Sequence, residues 1–372
     1  MNILIAPDKF KGSLTTEEAC CAIERGIKKF DSSFETILHP LADGGEGTLE
    51  ILNNLLDLKP INVAASNPLG NPLYTGYLKN ETSAFIEMAL VSGLQLLQPE
   101  EQNCMNTTTY EIGELILDAI QKGVKNIYLF IGGSATNDAG IGMATALGYQ
   151  FFDKENKAIF PFGKNLSKIH SIDSSNLKFN PNEIEVNVVC DVGNVLFGKN
   201  GAAYVYAPQK GANAQEVKFL DQGLRHFSKK INEHFQKDVS QIKGAGAAGG
   251  IGAGAMVFLN AKIQSGIQTI LELTHFEEKI KDADLVITGE GKLDYQTLEG
   301  KVVKGVADMA RKYDVPVFAI CGACEVSENE LQSIGIHKAI PILQDGVSLE
   351  QAINEAKERV ENIAYRMMKN IH

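Results

Sequence analysis

The stretch that most constrains this chain is Gly244–Gly254, GAGAAGGIGAG. Six of its eleven residues are glycine, and the others are alanine except Ile251. A segment like this has almost no side chain with which to pack or react. It offers backbone: N–H groups, conformations with positive φ, and room for a close approach. It suits a phosphate cradle, with a flexible linker or a close helix contact as the plainer use. Its first six residues also match the dinucleotide fingerprint GxGxxG. The preceding Asp238–Lys243, DVSQIK, does not read as the buried strand which that motif requires.

A chain of 372 residues can bury a full core and is expected to form two domains. Its net charge of −11 argues against nucleic acid and anionic membrane as partners. The five arginines, Arg25, Arg225, Arg311, Arg359 and Arg366, all lie in helix-like stretches away from the glycine-rich motifs. Any anion must therefore be held by lysine, metal or backbone. Six cysteines in a chain this long do not make a disulfide framework. They read as reduced thiols, although Cys321 and Cys324 form a CxxC after an apolar run and would suit a redox pair. No signal peptide or membrane-spanning run is visible, so a cytoplasmic protein is expected.

The order of apolar runs gives the architecture. Asn2–Ala6 and Phe34–His39 read as strands, each followed by a polar loop and a helix. Thr15 and Glu18 stand at capping-box spacing ahead of the first helix. The same grammar returns at Asp284–Thr288, Val315–Ile320 and Lys338–Ile342. Between these ends the pattern differs, with short strands at Ile61–Ala64, Leu73–Leu78, Ser83–Glu87, Asn126–Ile131, Glu185–Cys190 and Ala202–Tyr206. A helix from Thr109 is expected to be capped by Thr108 and Glu111, and the segment 289–294 reads as a loop. The fold class is α/β: a five-stranded parallel sheet built from residues 1–60 and 283–372, with a second α/β domain, 61–282, inserted.

No GxSxG, Walker A loop or HExxH is present, which weakens serine-hydrolase, P-loop and zinc-protease readings. What recurs is an apolar strand ending in Gly, Asp, Asn, Lys or Ser. Asp8/Lys9, Asp43/Glu46, Ser134/Thr136/Asn137/Asp138, Asp191/Asn194 and Glu290/Lys292/Asp294 all sit at such ends. Each alone reads as a turn or cap. Together they look like a cleft for Mg²⁺ and phosphate, since carboxylates are hard oxygen ligands and glycine loops at helix starts aim N–H groups at anions. That set suits phosphoryl transfer.

At this point the residues resemble a known family, the type I glycerate kinases, from end to end. The matching segments are APDKFKGSLT (Ala6–Thr15), PLADGGEGT (Pro40–Thr48), NPLG (Asn67–Gly70), IGGSATNDAGIG (Ile131–Gly142), Cys190–Asn194, GAGAAGGIGAG and ITGEGKLDYQT (Ile287–Thr297) with Gly300-Lys301. The chain departs from the pattern at Val195 and Val303, where proline is common, and at Lys292, where arginine is common. The resemblance implies a flavodoxin-like domain from both chain ends, an inserted α/β domain, and an active site in the cleft between them. It implies transfer of the ATP γ-phosphate to a hydroxyl of D-glycerate with Mg²⁺, giving 2-phosphoglycerate, with the 3-phosphate as the alternative product.

On that footing Asp191 is the first candidate for the general base and Asp138 the second, with Lys9 also catalytic. Lys11, Ser13, Asn67 and Asn194 are expected to bind substrate. Ser134, Thr136, Asn137, Gly246, Gly249, Gly250, Gly252, Gly289 and Lys292 are expected to hold nucleotide phosphates. Asp43, Glu46, Glu290 and Asp294 are expected around Mg²⁺. A Gly250→Val variant is expected to stay folded and lose ATP affinity. Two rival readings are an NAD-dependent oxidoreductase using GAGAAG and a non-enzymatic sugar-acid-binding protein. A homo-oligomer is compatible with the sequence.

Overall fold

The computed structural model describes residues 1–298, 300–344 and 346–371. Among these the strands run, in chain order, β1 (Asn2–Pro7), β2 (Glu35–Leu38), β3 (Lys59–Ser66), β4 (Pro72–Lys79), β5 (Ser83–Glu87), β6 (Asn126–Phe130) and β7 (Gln150–Phe152). They continue with β8 (Ser171–Asp173), β9 (Glu185–Val189), β10 (Lys262–Gln264), β11 (Leu285–Leu293), β12 (Val317–Cys324) and β13 (Ile336–Pro341).

The chain divides into two units, Met1–Asp43 with Gly266–His372, and Gly44–Ser265. In the first, five parallel strands form one sheet in the order β2-β1-β11-β12-β13, which is 2-1-3-4-5 by occurrence within the unit. The residues of β1 from Ile3 to Pro7 are all buried, as is the front of β11. Near-continuous apolar runs of this kind belong to parallel strands covered on both faces. Helices Thr16–Phe30 and Ala356–Ile371 pack on each other and share a core with Ile3, Ile5 and Ile287. Thr15 caps the first of these helices in a capping box with Glu18, as its spacing predicts.

The second unit carries a six-stranded sheet in the order β10-β9-β6-β5-β4-β3. β10, β9, β6 and β5 run parallel, while β4 and β3 are antiparallel additions. A small β7–β8 ribbon stands apart from it. Helix Ala214–Phe235 begins at Asn213, whose side chain accepts from the amides of Gln215 and Glu216.

Four local expectations change. The unit boundaries fall after Asp43 and before Gly266, rather than near 60 and 282. Helix Thr48–Leu55 packs on β4 and β5, and the Glu87 carboxylate accepts from the amides of Gly47 (3.0 Å) and Leu49 (3.1 Å). Helices Gly266–Leu273 and Phe276–Lys281 pack on Val302–Arg311 in the first unit. His39 joins them there: its Nε2 meets Thr274 Oγ1 at 2.9 Å and its Nδ1 meets Lys279 Nζ at 2.9 Å.

Ala202–Tyr206 is a helix, not a strand. A short apolar run has no periodicity to separate the two. The segment 289–293 continues β11 instead of looping, because β12 pairs with it through Glu290↔Cys321 and Leu293↔Cys324. Finally, Thr108 and Glu111 form no capping box on helix Tyr110–Gln121. Thr108 Oγ1 accepts from Tyr110 N (3.2 Å), and Glu111 takes the Ser92 hydroxyl.

Candidate active site

In the first unit the chemistry collects where the strand order reverses. Asp8 follows β1, Asp43 lies beyond β2, and Glu290 is in the carboxyl-terminal half of β11. β1 and β11 are neighbours in the sheet, and the connections leave them in opposite directions. Open α/β sheets bind ligands beyond the carboxyl ends of strands at such a switch point.

Asp8 is only 8% exposed. Its amide donates to the Gly289 carbonyl (2.7 Å), and its Oδ1 accepts from the Lys9 amide (2.7 Å). Burial, reinforced by the charge of Asp43 and more weakly of Glu290, pushes its carboxyl up to about 7, against the pull of the Lys9 amide. Glu290 is also buried, and accepts from the Thr297 hydroxyl at 2.6 Å. Burial raises its pKa above the ordinary value, while Thr297 and Lys301 oppose the rise and Asp294 and Asp43 add to it. Buried carboxylates whose pKa values are raised by burial and by one another make this end of the sheet a functional-site candidate.

The remaining residues expected in this unit divide. Lys9 is half-buried and Lys11 exposed. Ser13 donates its hydroxyl to the Ile353 carbonyl (3.1 Å), a tie to helix Leu349–Asn354. Lys292 is exposed and pairs with Glu325 at 2.8 Å. Asp294 accepts from the amides of Gln296 (2.9 Å) and Thr297 (3.4 Å), which makes it the cap of helix Tyr295–Leu298. Gly289 is a pairing glycine: a β-carbon there would come within 2.0 Å of the Ile320 carbonyl oxygen.

The four carboxylates expected around Mg²⁺ are divided between the units, with Asp43, Glu290 and Asp294 in the first. Glu46 is exposed and belongs to the second unit. Among the described residues no three His, Cys, Asp or Glu side chains are placed to hold a metal ion. Nearby on β12, Cys321 and Cys324 are free thiols hydrogen-bonded to each other. That bond from Cys321 brings Cys324 down to about 6.

In the second unit the loop after β6 is built around Asp138, which is fully buried. Its Oδ2 accepts from Thr109 N (2.8 Å), Thr109 Oγ1 (2.8 Å) and Gly142 N (3.2 Å), and its Oδ1 accepts from Gly140 N (3.1 Å). Burial pushes its carboxyl up, and those donors pull it back. With both oxygens engaged and no exposure, Asp138 braces the loop to helix Tyr110–Gln121. It is not placed to take a proton from a substrate.

Ser134, Thr136 and Asn137 are buried on this loop. Ser134 Oγ accepts from Lys210 Nζ at 2.5 Å, and the Thr136 carbonyl accepts from the same ammonium at 2.8 Å. Among the described residues Thr136 Oγ1 and both ends of the Asn137 amide have no hydrogen-bond partner.

The glycine stretch packs against this loop. Gly244–Gly254 is buried throughout except for half-buried Ala248. It enters helix Ala247–Phe258 through a kink at Ala248, Gly249 and Gly250, where φ is +50°, +74° and +92°. A β-carbon at Gly246 would meet the Val195 carbonyl oxygen at 2.1 Å, and one at Gly252 the Gly244 carbonyl oxygen at 2.1 Å. On their β-carbon side these glycines make room for protein backbone, the close contact that a glycine run also allows. No strand lies between Gln236 and Lys243, so the dinucleotide fingerprint lacks its setting.

Asp191 stands just past β9, exposed, and accepts from the Ser265 hydroxyl at 2.9 Å. Asn194 is used internally: its amide nitrogen donates to the Asn200 carbonyl (2.9 Å), and its oxygen accepts from Tyr206 Oη (2.5 Å). Asn67 holds a turn, its oxygen accepting from the amides of Leu69 and Asn71, both at 3.0 Å.

Two residues were missed from sequence. Asp8 was legible only as one of several polar strand ends. Lys210 sat in a turn, APQKGA, whose burial nothing in the sequence announces.

A parallel-sheet α/β enzyme with acidic groups at its switch point is the class that this geometry defines. The glycerate kinase family model matches residues 3–372. Glycerate kinase of Halalkalibacterium halodurans is 42% identical, with 97% of this chain and 96% of that protein covered. Glycerate 2-kinase of Escherichia coli is 39% identical, over 97% of this chain and 95% of that protein. The crystal structure of putative glycerate kinase 2 from Salmonella typhimurium LT2 superposes with a TM-score of 0.87 at 38% identity, covering 100% of this chain and 98% of that one. The chain belongs to the glycerate kinase family, and its enzyme class is that of a kinase acting on an alcohol group.

Proposed function

We propose that this chain transfers the γ-phosphoryl group of Mg-ATP to the 2-hydroxyl of D-glycerate, releasing ADP and 2-phosphoglycerate. The observation that carries the reading is the convergence of Asp8, Asp43 and Glu290 at a switch point in a chain of this family. The strand order 2-1-3-4-5 favours a flavodoxin-like first unit. Kinship with a protein named glycerate 2-kinase favours the 2-phosphate over the 3-phosphate.

Phosphoryl transfer needs little covalent chemistry from a protein; it needs positioning and charge stabilisation. Mg²⁺ keeps several waters and is commonly held by one or two carboxylates together with substrate phosphates. Asp43 and Glu290 fit an ion that arrives with the nucleotide, not a resident one bound by a closed protein set. Bound there, Mg²⁺ would neutralise charge on the phosphates. Lys9 and Lys11 offer cationic donors on the loop after β1. In the second unit Ser134 is the phosphate-binding candidate, and exposed Asp191 is the candidate to accept the substrate's hydroxyl proton. A cytoplasmic setting, where Mg-ATP is supplied, belongs to the same reading. Among the described residues no helix is long and apolar enough to cross a membrane.

A coupled assay for ADP release with Mg-ATP and D-glycerate tests the proposal, with ³¹P NMR of the product. Release that depends on D-glycerate and yields the 2-phosphate is expected. ADP release no faster with D-glycerate than without it would overturn the function, and a 3-phosphate product would overturn the regiochemistry.

A further inference from the structure

Lys210 has no part in the chemistry above, yet it is an unusual lysine. Its side chain is 3% exposed, at the end of the short turn Pro208–Lys210. Its ammonium donates to two neutral acceptors, Ser134 Oγ and the Thr136 carbonyl. Among the described residues no carboxylate forms an ion pair with it. The charged and titratable groups that it senses are Cys104 and Asp138. Burial pushes the Cys104 thiol up to about 11, so it is neutral. Asp138 is saturated by its own donors. An ammonium taken out of water with no direct ion pair is costly, and Lys210 has only the attraction of Asp138 and two neutral acceptors to offset it.

Two features show where an anion would lie. A serine hydroxyl has one proton and two lone pairs. Because Ser134 Oγ accepts from Lys210, its own proton is available to another acceptor. Ser134 is 7% exposed and follows Gly133, which is exposed with φ +74°, so this end of the loop reaches the surface. Behind it, Thr136 Oγ1 and the Asn137 amide are fully buried polar groups with no protein partner. Buried polar groups in native proteins are nearly always satisfied, so these too point to something that the chain does not itself supply.

We propose that Lys210 and the Ser134–Asn137 segment form a subsite for an anionic oxygen group, a phosphate or a carboxylate, in which Lys210 is the positioning residue that supplies the charge and orients the Ser134 hydroxyl. The proposal rests on the kinase reading for the identity of its ligands, since Mg-ATP brings phosphates and D-glycerate a carboxylate. It adds a lysine to the three loop residues and makes the site cationic rather than only amide-lined.

The test uses the full chain with Lys210→Met, Lys210→Arg, Ser134→Ala and the Lys210→Met/Ser134→Ala double variant, each checked for folding by circular dichroism. The KM for Mg-ATP and the KM for D-glycerate are measured separately. A rise of tenfold or more in one of them is expected for Lys210→Met, with kcat falling less than threefold. Ser134→Ala should raise the same KM, and the double variant should be no worse than Lys210→Met alone. A rise for Mg-ATP identifies a phosphate, and a rise for D-glycerate identifies the carboxylate. Because burial brings the Lys210 ammonium down to about 8, the affected wild-type KM should climb above pH 8. In Lys210→Arg it should stay flat, since guanidinium keeps its charge.

A folded Lys210→Met with both KM values within twofold of wild type would overturn the proposal, as would effects of the two single changes that multiply. Should Lys210→Met not fold, Ser134→Ala decides alone: both KM values unchanged would overturn it. Calorimetric titration of ADP and of D-glycerate into wild type and Ser134→Ala reads the subsite without turnover. A wild type that binds but does not turn over therefore counts against the kinase reading, not against the subsite.

Discussion

Gly249 lies so close to Thr136 that a β-carbon on it would come within 2.0 Å of the Thr136 carbonyl oxygen and 2.6 Å of the Asn137 α-carbon. The Gly249 carbonyl in turn accepts from the Ala139 amide at 3.1 Å. The two glycine-rich motifs of the second unit are thus halves of one contact. Gly249→Ala should destabilise the protein by about 2–4 kcal/mol, from the left-handed φ of +74° together with the backbone overlap. Urea unfolding monitored by circular dichroism measures this, and a midpoint equal to wild type would contradict the packing. Gly250→Val, expected from the sequence to stay folded, puts a β-branched residue at φ +92° with its first carbon 3.1 Å from the Ala139 α-carbon and should also destabilise the protein.

Asp138 and Asp191 began as rival bases, and their surroundings separate them. Asp138→Ala strands the amides of Thr109, Gly140 and Gly142 in a buried place. Each unsatisfied buried donor costs about 1–3 kcal/mol, so the variant should lose at least about 3 kcal/mol of stability. Differential scanning calorimetry reads the loss. A Tm unchanged from wild type would show that the brace carries no weight.

Asp191→Asn should leave stability within about 0.5 kcal/mol of wild type, as surface changes usually do. Its kcat should fall by about 10²-fold or more if the carboxylate takes the hydroxyl proton. Turnover by the folded variant at the wild-type rate would remove Asp191 from the mechanism.

The first unit was readable because its strands are near-continuous apolar runs. NILIA, DLVIT and VFAI have strand length and no helical periodicity, although β11 and β12 run on past the last two into residues that read as loop. The insertion was readable from the break in that grammar, but its edges were not: whether helix Thr48–Leu55 belongs to one unit or the other depends on what its buried face meets. Glycine use was the least legible part. A glycine carries no side chain to declare its partner, so a cradle for phosphate and a seat for Thr136 look alike in sequence. Asn194 and Asn67 posed the same difficulty in polar form, since an amide that serves Tyr206 or a turn is spelled like one that serves a ligand. Lys210 and Asp8 were obscured by burial, which only distant neighbours create.

Asp8 offers the clearest test of that hidden environment. Its carboxyl has an ordinary value of 3.8 and stands near 7 in the folded protein, chiefly through burial and the charge of Asp43. The folded state therefore holds the proton more tightly than the unfolded chain does between about pH 4 and pH 7. By linkage, the stability tied to that proton is fully present below pH 4 and is lost as pH rises through 7. Wild type should be less stable at pH 8 than at pH 5. Asp8→Asn, which cannot ionise, should be the more stable protein at pH 8, by on the order of 2–4 kcal/mol at roughly 1.4 kcal/mol per unit, with the gap closing toward pH 4. Urea titrations at several pH values, with EDTA present to exclude divalent cations, measure the effect. Activity should move the other way: if the carboxylates of Asp8, Asp43 and Glu290 serve Mg-ATP, Asp8→Asn should lose turnover by at least about tenfold while gaining stability, the trade common at sites held in a strained state. A variant less stable than wild type at pH 8 would show that Asp8 is bonded as an ordinary structural carboxylate. A variant of unchanged kcat would place the reaction away from this cluster.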